Sequence, residues 1–351
     1  MQTELVQFIR DTIRERGPRS FAWFMEQALY HPQHGYYSSG RAVIGRKGDY
    51  FTNVSVGPLF GQLLAAQFVE IWERLGKIDN FTIVEQGAHD GRFARDVLLA
   101  IRVRSPEFFS ALRYRIVEPF PVWQDRQSQT LAEFGDRVEW RESLDRLEPF
   151  AGVHFSNELL DAMPMNLRGR FVGLDDGKFV FVEGPTDASM NQATLDWIEN
   201  LSSKLERGFV IAIDYGFARA EFREVLQIRT QHRLLDSPFE QIGEADITAH
   251  VNWTEIAERA EASGLRVAGF TDQHHFLTGI ISKFPEIVEE KKSKRALQTL
   301  LHPEMLGRAF QVLALGKDVD LATGQVRPTG GLAEPIACFT FARDPRAALG
   351  I

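Results

Sequence analysis

The sequence FTIVEQGAHDG, residues 81–91, decides the fold of this chain. Its first six residues are almost continuously apolar and predict a β-strand over 81–86. Gly87 and Gly91 follow in a turn, and a helical pattern begins at residue 92 and continues to 104. A strand that enters a helix through a glycine-containing turn is typical of open α/β sheets, in which ligands bind at the carboxyl ends of the strands.

Similar short apolar runs recur on the carboxyl-terminal side of this segment and alternate with helical stretches. Because the runs are nearly continuously apolar, we expect strands that are covered on both faces, as in a parallel sheet. Alternation of strands and helices predicts a doubly wound α/β architecture. The further predicted strands are 113–119, 137–141, 153–158, 208–216 and 310–317.

Other segments flank or interrupt this alternation. Residues 1–30 predict two helices broken at Gly17-Pro18, and residues 58–75 predict a long amphipathic helix. Residues 167–184 predict a β-hairpin with Asp176-Gly177 in its turn. Residues 275–308 are helical and rich in charge, and we interpret their basic run at 289–295 as a solvated helix face.

The composition is that of a soluble globular protein. Of 351 residues, 44% are hydrophobic and 25% are charged, which excludes intrinsic disorder. The net charge of −8 gives no attraction to nucleic acid. Cys338 is the only cysteine, so a disulfide framework and a thiolate metal site are excluded, and no run is long enough to span a bilayer. With an N-terminus unlike a targeting peptide, we expect a cytoplasmic protein.

The turn after the first predicted strand indicates a nucleoside cofactor. Glu118 ends the second predicted strand, where a carboxylate can accept hydrogen bonds from both ribose hydroxyls. Together with Glu85 and the glycines, it fits either a dinucleotide or S-adenosylmethionine. A carboxylate before the first glycine would repel a pyrophosphate but not a cationic methionine group, which favours S-adenosylmethionine. An ordinary tight turn is the alternative interpretation.

A second group of polar residues, Asn157 to Pro164, follows the predicted strand at 153–158. Glu158 and Asp161 could present carboxylates to an amino or guanidino nucleophile. A guanidinium has a pKa above about 12 and needs anionic partners to orient it and hold its charge. Helix capping by Asn157 and Asp161 is the alternative.

Four strings together resemble the MidA-type family of S-adenosylmethionine-dependent methyltransferases, which includes a mitochondrial complex I assembly factor that methylates an arginine. The resemblance extends from about residue 31 to 277. It implies a Rossmann-like methyltransferase sheet over 58–351 with a helical cap at 1–57. Insertions are expected at about 165–205 and 275–308, where they would form lid-like segments. The strings are GDYFTNVSVGPLFGQLLA (48–65), SNELLDAMP (156–164), IDYG (213–216) and GEADITAHVNW (243–253).

The resemblance also implies the site. It assigns the methyl donor to Gly87, Gly91, Glu118 and the region of Ser143 and Leu144, and the acceptor side to Glu158, Asp161, Asp214, Tyr215, Asp246, Thr248 and His250. Glu85 and Asn157 are further predicted donor residues. Among the acceptor-side residues, Glu158, Asp161, Asp214 and His250 are the predicted catalytic residues. A structural hydrogen-bonding role for His250 and a helix N-cap role for Asp246 stay open. No metal is expected. The implied partner is a protein substrate, with a respiratory-complex subunit as a candidate, and the oligomeric state is open, a homodimer included.

Three departures from the family pattern leave alternatives. His89 stands where the family has the middle glycine, Val54-Ser55 where it has Pro-Glu, and Glu224-Val225 where it has Gly-Thr. The departure at His89 would alter how closely the backbone approaches the donor. Together the departures leave open a changed substrate or a loss of activity. A catalytically degenerate assembly or binding factor is therefore the second hypothesis, and a nicotinamide oxidoreductase is the third.

Overall fold

A computed structural model describes residues 2–42, 52–185, 190–231, 233–289, 293–319 and 335–351. Residues 48–51 of the first family-like string and residues 290–292 of the predicted basic helix face lie outside the described residues. The chain divides into two compact units. The N-terminal unit comprises residues 1–55, 160–197 and 222–251, and the sheet unit comprises residues 56–159, 198–221 and 252–351. The predicted boundary after residue 57 and the predicted insertions stay predictions.

Eleven α-helices occur in the described part of the chain, and the predicted helices at 58–75 and 92–104 are confirmed within one residue. They are α1 (Gln2–Arg16), α2 (Phe21–Tyr30), α3 (Leu59–Arg74), α4 (Arg92–Arg104), α5 (Pro106–Ala111), α6 (Pro121–Thr130), α7 (Gln192–Lys204), α8 (Trp253–Ala262), α9 (Gln273–Lys283), α10 (Ser293–Leu301) and α11 (Pro345–Leu349).

The described residues also form fifteen strands, some of only two residues. They are β1 (Arg19–Ser20), β2 (Phe81–Gln86), β3 (Leu112–Val117), β4 (Val138–Arg141), β5 (Phe150–Asn157), β6 (Arg170–Asp175), β7 (Lys178–Glu183), β8 (Leu205–Asp214), β9 (Gly216–Phe217), β10 (Leu226–Thr230), β11 (Arg233–Leu235), β12 (Asp246–Ala249), β13 (Val251–Asn252), β14 (Arg266–Asp272) and β15 (Gln311–Lys317).

The sheet unit is built on a seven-stranded sheet with the order β14-β15-β8-β5-β2-β3-β4. The strands from β8 to β4 are parallel, whereas β15 runs antiparallel to β8 and β14 antiparallel to β15. The predicted α/β class with a mostly parallel, Rossmann-like sheet is therefore confirmed. Strand β14 was not predicted, because RVAGFTD has no continuous apolar run.

Aromatic packing fixes the helices of this unit against the sheet. Phe155 of β5 stacks on Phe93 of α4 with ring centroids 4.5 Å apart, and it also contacts Phe68 of α3 edge to face. All three side chains are at most 3% exposed. Since α4 begins directly after the glycine turn, this packing also fixes the turn relative to β5.

The N-terminal unit contains α1, α2 and two small antiparallel sheets, β1-β6-β7 and β11-β10-β12. The predicted hairpin is confirmed: β6 pairs with β7, and Asp175 lies opposite Lys178 across the turn. Rings from α2, the hairpin and residue 239 pack together in the core, among them Phe24, Phe181 and Phe239. No helix in the described part of the chain combines the length and the apolar composition that a membrane crossing requires.

Candidate functional site

The strand order reverses between β2 and β5, and the predicted donor residues Glu85, Gly87, Gly91 and Asn157 lie at this point. On one side of this point β2 is followed in the sheet by β3 and β4, and on the other side β5 is followed by β8. Gln86, the last residue of β2, is in register with Ser156 of β5. The turn after β2 and the segment after β5 therefore start side by side, at the edge where open α/β sheets bind their ligands.

The turn after β2 has a left-handed backbone at three alternate residues. The φ angles are +82° at Gly87, +48° at His89 and +80° at Gly91. Gly91 directly precedes α4, and a Cβ atom there would lie 3.3 Å from Leu131 and 3.4 Å from Gln127. His89 thus adopts a left-handed conformation that glycine adopts readily, at a cost of the order of 1 kcal/mol for a residue with a side chain.

The side chain of His89 packs beside the turn. Its ring centroid lies 4.4 Å from that of Trp123, which is itself buried. Its Nδ1 lies 3.6 Å from a carboxylate oxygen of Asp90, and Arg92 pairs with the other oxygen at 2.8 Å. Although burial opposes it, these two neighbours and their hydrogen bonds keep the pKa of Asp90 below its usual value.

Glu118 lies directly after β3 and is only 6% exposed. Its Oε1 accepts a hydrogen bond from the backbone N–H of Phe120 at 3.1 Å, and its Oε2 accepts one from Gln127 at 3.0 Å. Burial raises the pKa of Glu118 to about 7, although both hydrogen bonds oppose the shift. A carboxylate has about four acceptor sites, so two stay available to hydroxyl donors, which fits the two hydroxyls of a ribose.

Sequence reasoning missed Gln127, which is fully buried in α6. Its Nε2 donates to Glu118 and also to the main-chain oxygen of His89 at 2.8 Å. Its Oε1 accepts from the indole N–H of Trp140 at 2.9 Å. It lies within α6, and no motif in the neighbouring sequence marks this residue.

Glu85 of β2 is 4% exposed, and its Oε2 accepts a hydrogen bond from the hydroxyl of Tyr114 at 2.7 Å. Burial raises the pKa of Glu85 to about 7, while the Tyr114 hydrogen bond opposes the shift. This contact joins two neighbouring strands and explains the position of Glu85 without a ligand. Its assignment to the cofactor stays a prediction.

Glu158 directly follows β5, and Asp214 is the last residue of β8, the strand paired with it. Asn157 and Ile213 are in register, and the N–H of Glu158 donates to the main-chain oxygen of Ile213 at 2.9 Å. Glu158 has a φ of +55°, and its carboxylate accepts from the Asn157 amide at 2.8 Å. Asp214 is 1% exposed and accepts from the N–H of Tyr215. Two carboxylates and one amide thus stand at adjacent strand ends.

Tyr215 lies in the sheet unit, and the other predicted acceptor residues belong to the N-terminal unit. Asp161 is 7% exposed, and its main-chain oxygen accepts from the N–H of Ala249 at 2.8 Å. Asp246 is 2% exposed and accepts from the hydroxyl of Tyr37 at 2.7 Å, a partner that sequence reasoning missed. Thr248 lies in the same strand as Asp246, β12, opposite Gln227 of β10. Burial lowers the pKa of His250, so its imidazole is neutral at neutral pH.

Two capping interpretations are wrong. Asp246 starts strand β12, and the N-cap of the following helix is Asn252. Residues 158–166 form turns and no helix, so Asn157 and Asp161 have no helix to cap. The polar residues in both segments mimic capping signals because short polar side chains favour turns as well as helix starts.

Ser143 and Leu144, predicted near the donor, follow β4. Leu144 is buried and begins a short 3-10 turn, and Ser143 is half-buried with an extended backbone. Ser156, which was not predicted, has a buried hydroxyl without a hydrogen-bond partner among the described residues. It lies beside the glycine turn in the register of β2 and β5, where a ligand would find a polar atom to bind.

Proteins similar to this chain are known from animals and from a bacterium. The chain is 26% identical to "Protein arginine methyltransferase NDUFAF7 homolog, mitochondrial" of Drosophila melanogaster, over 89% of this chain and 84% of that protein. It is 24% identical to "Protein arginine methyltransferase NDUFAF7, mitochondrial" of Homo sapiens, over 95% and 88%. A Burkholderia thailandensis protein solved with S-adenosyl-homocysteine bound has a TM-score of 0.82 and 28% identity, over 97% of this chain and 95% of that chain.

The expectation of a cytoplasmic location is contradicted by the animal relatives, which are named as mitochondrial proteins. The expectation depended on a single cysteine and on an N-terminus unlike a targeting peptide. Absence of a disulfide framework indicates a reducing environment, but it does not separate the cytoplasm from the interior of an organelle. Composition alone therefore could not support that prediction.

The sequence profile of a family described as "Putative S-adenosyl-L-methionine-dependent methyltransferase" matches residues 63–190 and 185–271, which is more than half of the chain. The match includes the glycine turn, Glu118 and the strand ends that carry Glu158 and Asp214. It agrees with the resemblance in the sequence and disfavours the nicotinamide alternative. The chain belongs to this family and is an S-adenosylmethionine-dependent methyltransferase.

Proposed function

We propose that this methyltransferase transfers its methyl group to an arginine side chain of a protein. The names of the animal relatives, protein arginine methyltransferases, support this acceptor. The observation that carries the proposal is the pair of carboxylates, Glu158 and Asp214, at adjacent strand ends. A cationic acceptor needs anionic partners that orient it and hold its charge.

The donor site that we propose consists of the turn after β2 and the end of β3. Gly87 and Gly91 bring the backbone close to the ligand, and Glu118 accepts from the ribose hydroxyls. S-adenosylmethionine, when bound, supplies an electrophilic methyl group on a sulfonium. Ser143, Leu144 and Asn157, together with Glu85, complete the predicted donor residues.

The role that we assign to Glu158 and Asp214 is to hold and orient the guanidinium. Methylation of a guanidinium by a sulfonium donor releases one proton, because the product guanidinium keeps its charge and the donor becomes neutral. A neighbouring carboxylate lowers the cost of that release. Most of the rate enhancement then comes from alignment of the nitrogen with the methyl carbon and the sulfur.

Glu158 is suited to this orienting role by its backbone. A residue with a side chain and a positive φ persists only where its surroundings enforce it, and such residues cluster at functional sites. Here the carbonyl of Ile213 and the amide of Asn157 hold the backbone and the carboxylate, respectively. The position of the carboxylate is therefore set before a substrate arrives.

Asp161, Asp246 and His250 of the N-terminal unit are proposed as further acceptor-side residues. Asp246 is oriented by the hydroxyl of Tyr37. His250, neutral because of burial, suits a hydrogen-bond acceptor better than a charge partner. For the protein substrate, the resemblance makes a subunit of a respiratory complex the first candidate to test.

The test combines product identification with two variants. Purified protein and S-adenosylmethionine with a labelled methyl group are added to an extract of cells that lack the gene, and labelled proteins are hydrolysed to amino acids for mass spectrometry. We expect labelled methylarginine. Glu158→Gln and Asp214→Asn should each lower turnover by about tenfold to a hundredfold, since each removes a charge-assisted contact of about 1.5–3 kcal/mol, while S-adenosylhomocysteine affinity changes little.

The matched control is Glu206→Gln, which replaces an exposed carboxylate on the same strand as Asp214 and should leave turnover unchanged. Label on lysine or only on small molecules would refute the arginine acceptor. Equal loss of turnover and of S-adenosylhomocysteine affinity in the two variants would instead assign these carboxylates to the donor.

A further inference from the structure

We infer that Gln127 is a positioning residue of the donor site, whose amide holds the Glu118 carboxylate in the orientation that receives the ribose hydroxyls. The inference rests on the proposed contact between Glu118 and ribose. Gln127 touches no predicted ligand atom, so its effect on binding passes through Glu118 and through the turn after β2. Neither the sequence motifs nor the resemblance assigns it a role.

The hydrogen bonds of Gln127 fix the orientation of its amide. An amide side chain offers two N–H donors and one carbonyl oxygen. The donors meet the His89 main-chain oxygen at 2.8 Å and Glu118 Oε2 at 3.0 Å, and the carbonyl oxygen meets the Trp140 indole N–H at 2.9 Å. A flipped amide would place its oxygen against two acceptors and its N–H groups against a donor, so only one orientation satisfies all three partners.

Gln127 and the backbone of Phe120 each hold one oxygen of Glu118. Phe120 N–H donates to Oε1 at 3.1 Å and Gln127 to Oε2 at 3.0 Å. Two donors on two different oxygens define the plane of the carboxylate as well as its position. Without Gln127 only one oxygen would be held, and the carboxylate could rotate about its last side-chain bond.

The same amide also ties Glu118 to the turn. His89 lies in the left-handed part of the turn, and its main-chain oxygen is one of the two acceptors of Gln127. The turn packs closely on α6, since a Cβ at Gly91 would lie 3.4 Å from the Cα of Gln127. The buried side chain of Gln127 therefore sets the spacing between the turn after β2 and Glu118, which are both proposed to bind the donor.

A merely structural role for Gln127 makes a different prediction from a positioning role. If Gln127 only stabilises the fold, its loss weakens the binding of every donor analogue by a similar factor. If it positions Glu118, its loss weakens only the ligands that have ribose hydroxyls. An analogue of S-adenosylhomocysteine that lacks both hydroxyls separates the two cases.

The experiment measures the affinity of the whole chain for S-adenosylhomocysteine and for this analogue by isothermal titration calorimetry. We expect the unchanged protein to bind the analogue at least about tenfold more weakly, which is about 1.4 kcal/mol. In Gln127→Met, S-adenosylhomocysteine affinity should fall to about that of the analogue, while analogue affinity stays within about twofold of its original value.

Two variants control for folding. Gln129→Met, on the exposed side of the same helix, should bind both ligands as the unchanged protein does. Gln127→Asn keeps an amide but shortens the side chain by one methylene, so it should lose the same discrimination if Gln127→Met is too unstable to measure. Thermal melting of each variant reports the fraction folded.

The outcomes separate this inference from the proposed contact of Glu118. The positioning role is overturned if both Gln127 variants still bind S-adenosylhomocysteine more tightly than the analogue. It is also overturned if both ligands lose affinity by the same factor. In either case the ribose contact of Glu118 stands. If the unchanged protein does not discriminate and Glu118→Gln keeps full affinity, the ribose contact itself fails and the inference about Gln127 fails with it.

Discussion

Burial changes the charge of Glu118, the residue that we propose to bind the ribose. Burial raises its pKa to about 7, so near neutral pH the ligand-free carboxylate is protonated about half of the time. A carboxylate that accepts two hydroxyl donors binds best as the anion. Binding of S-adenosylhomocysteine must therefore remove this proton at low pH, and affinity should fall as the pH drops below about 7.

The expected slope is about tenfold in affinity per pH unit below the pKa of Glu118, with a plateau above it. Titration calorimetry between about pH 5.5 and pH 8 measures the profile. Glu118→Gln has no proton to lose there, so it should bind weakly with a flat profile. A slope that persists in this variant would assign the titration to another group, of which Glu85 is the first to examine because its pKa is also raised to about 7.

Strand β2 contains a carboxylate whose charge opposes folding. Burial raises the folded-state pKa of Glu85 from 4.5 to about 7. Between these values the folded chain binds more protons than the unfolded chain, so the contribution of Glu85 to the free energy of unfolding decreases as the pH rises through this range. The hydrogen bond from Tyr114 needs only an acceptor, which an amide oxygen also provides.

We therefore expect Glu85→Gln to stabilise the ligand-free protein by about 1–3 kcal/mol at pH 8 and by little at about pH 5. Urea unfolding at the two pH values measures the difference. Tyr114→Phe, which removes the donor to Glu85, should lose more stability at the higher pH. A Glu85→Gln variant that is less stable than the unchanged protein at pH 8 would contradict this account. If the variant binds S-adenosylhomocysteine more weakly than the unchanged protein, that result would support the predicted cofactor role of Glu85.

The elements that sequence reasoning located correctly are those whose signal is local. β2 spans residues 81–86 and α4 spans 92–104, as predicted, because a buried strand, a glycine turn and an amphipathic helix follow one another. β12 was not recognised, since its four residues include Asp246 and Thr248 and become a strand only by pairing with β10. Antiparallel pairing of β14 and β15 likewise depends on contacts distant in sequence.

The same distinction applies to the candidate site. Glycines and acidic residues at strand ends can be predicted because the fold places strand ends together. The partners that orient them cannot: Tyr37 lies 209 residues from Asp246, and Gln127 has no neighbouring motif. A left-handed His89 is also invisible to a glycine pattern, because its conformation is enforced by its surroundings and not by its residue type.

At the scale of the whole molecule, the net charge of −8 makes a prediction about the proposed acceptor but not about the donor. A negative protein attracts a cationic arginine peptide over distances comparable with the Debye length, which falls from about 30 Å at 0.01 M salt to about 8 Å at 0.15 M. The contacts that we propose between the donor and Glu118 or the turn after β2 are short and buried, so salt screens them little.

We expect the KM for an arginine-containing substrate peptide to rise several-fold between these two salt concentrations, while S-adenosylhomocysteine affinity stays nearly constant. Initial rates in sodium chloride and titration calorimetry measure the two quantities, and sucrose at equal osmolarity controls for effects other than screening. A KM that does not respond to salt would mean that the excess carboxylates take no part in attracting the acceptor. Acceptor recognition would then depend on short-range contacts such as those of Glu158 and Asp214 alone.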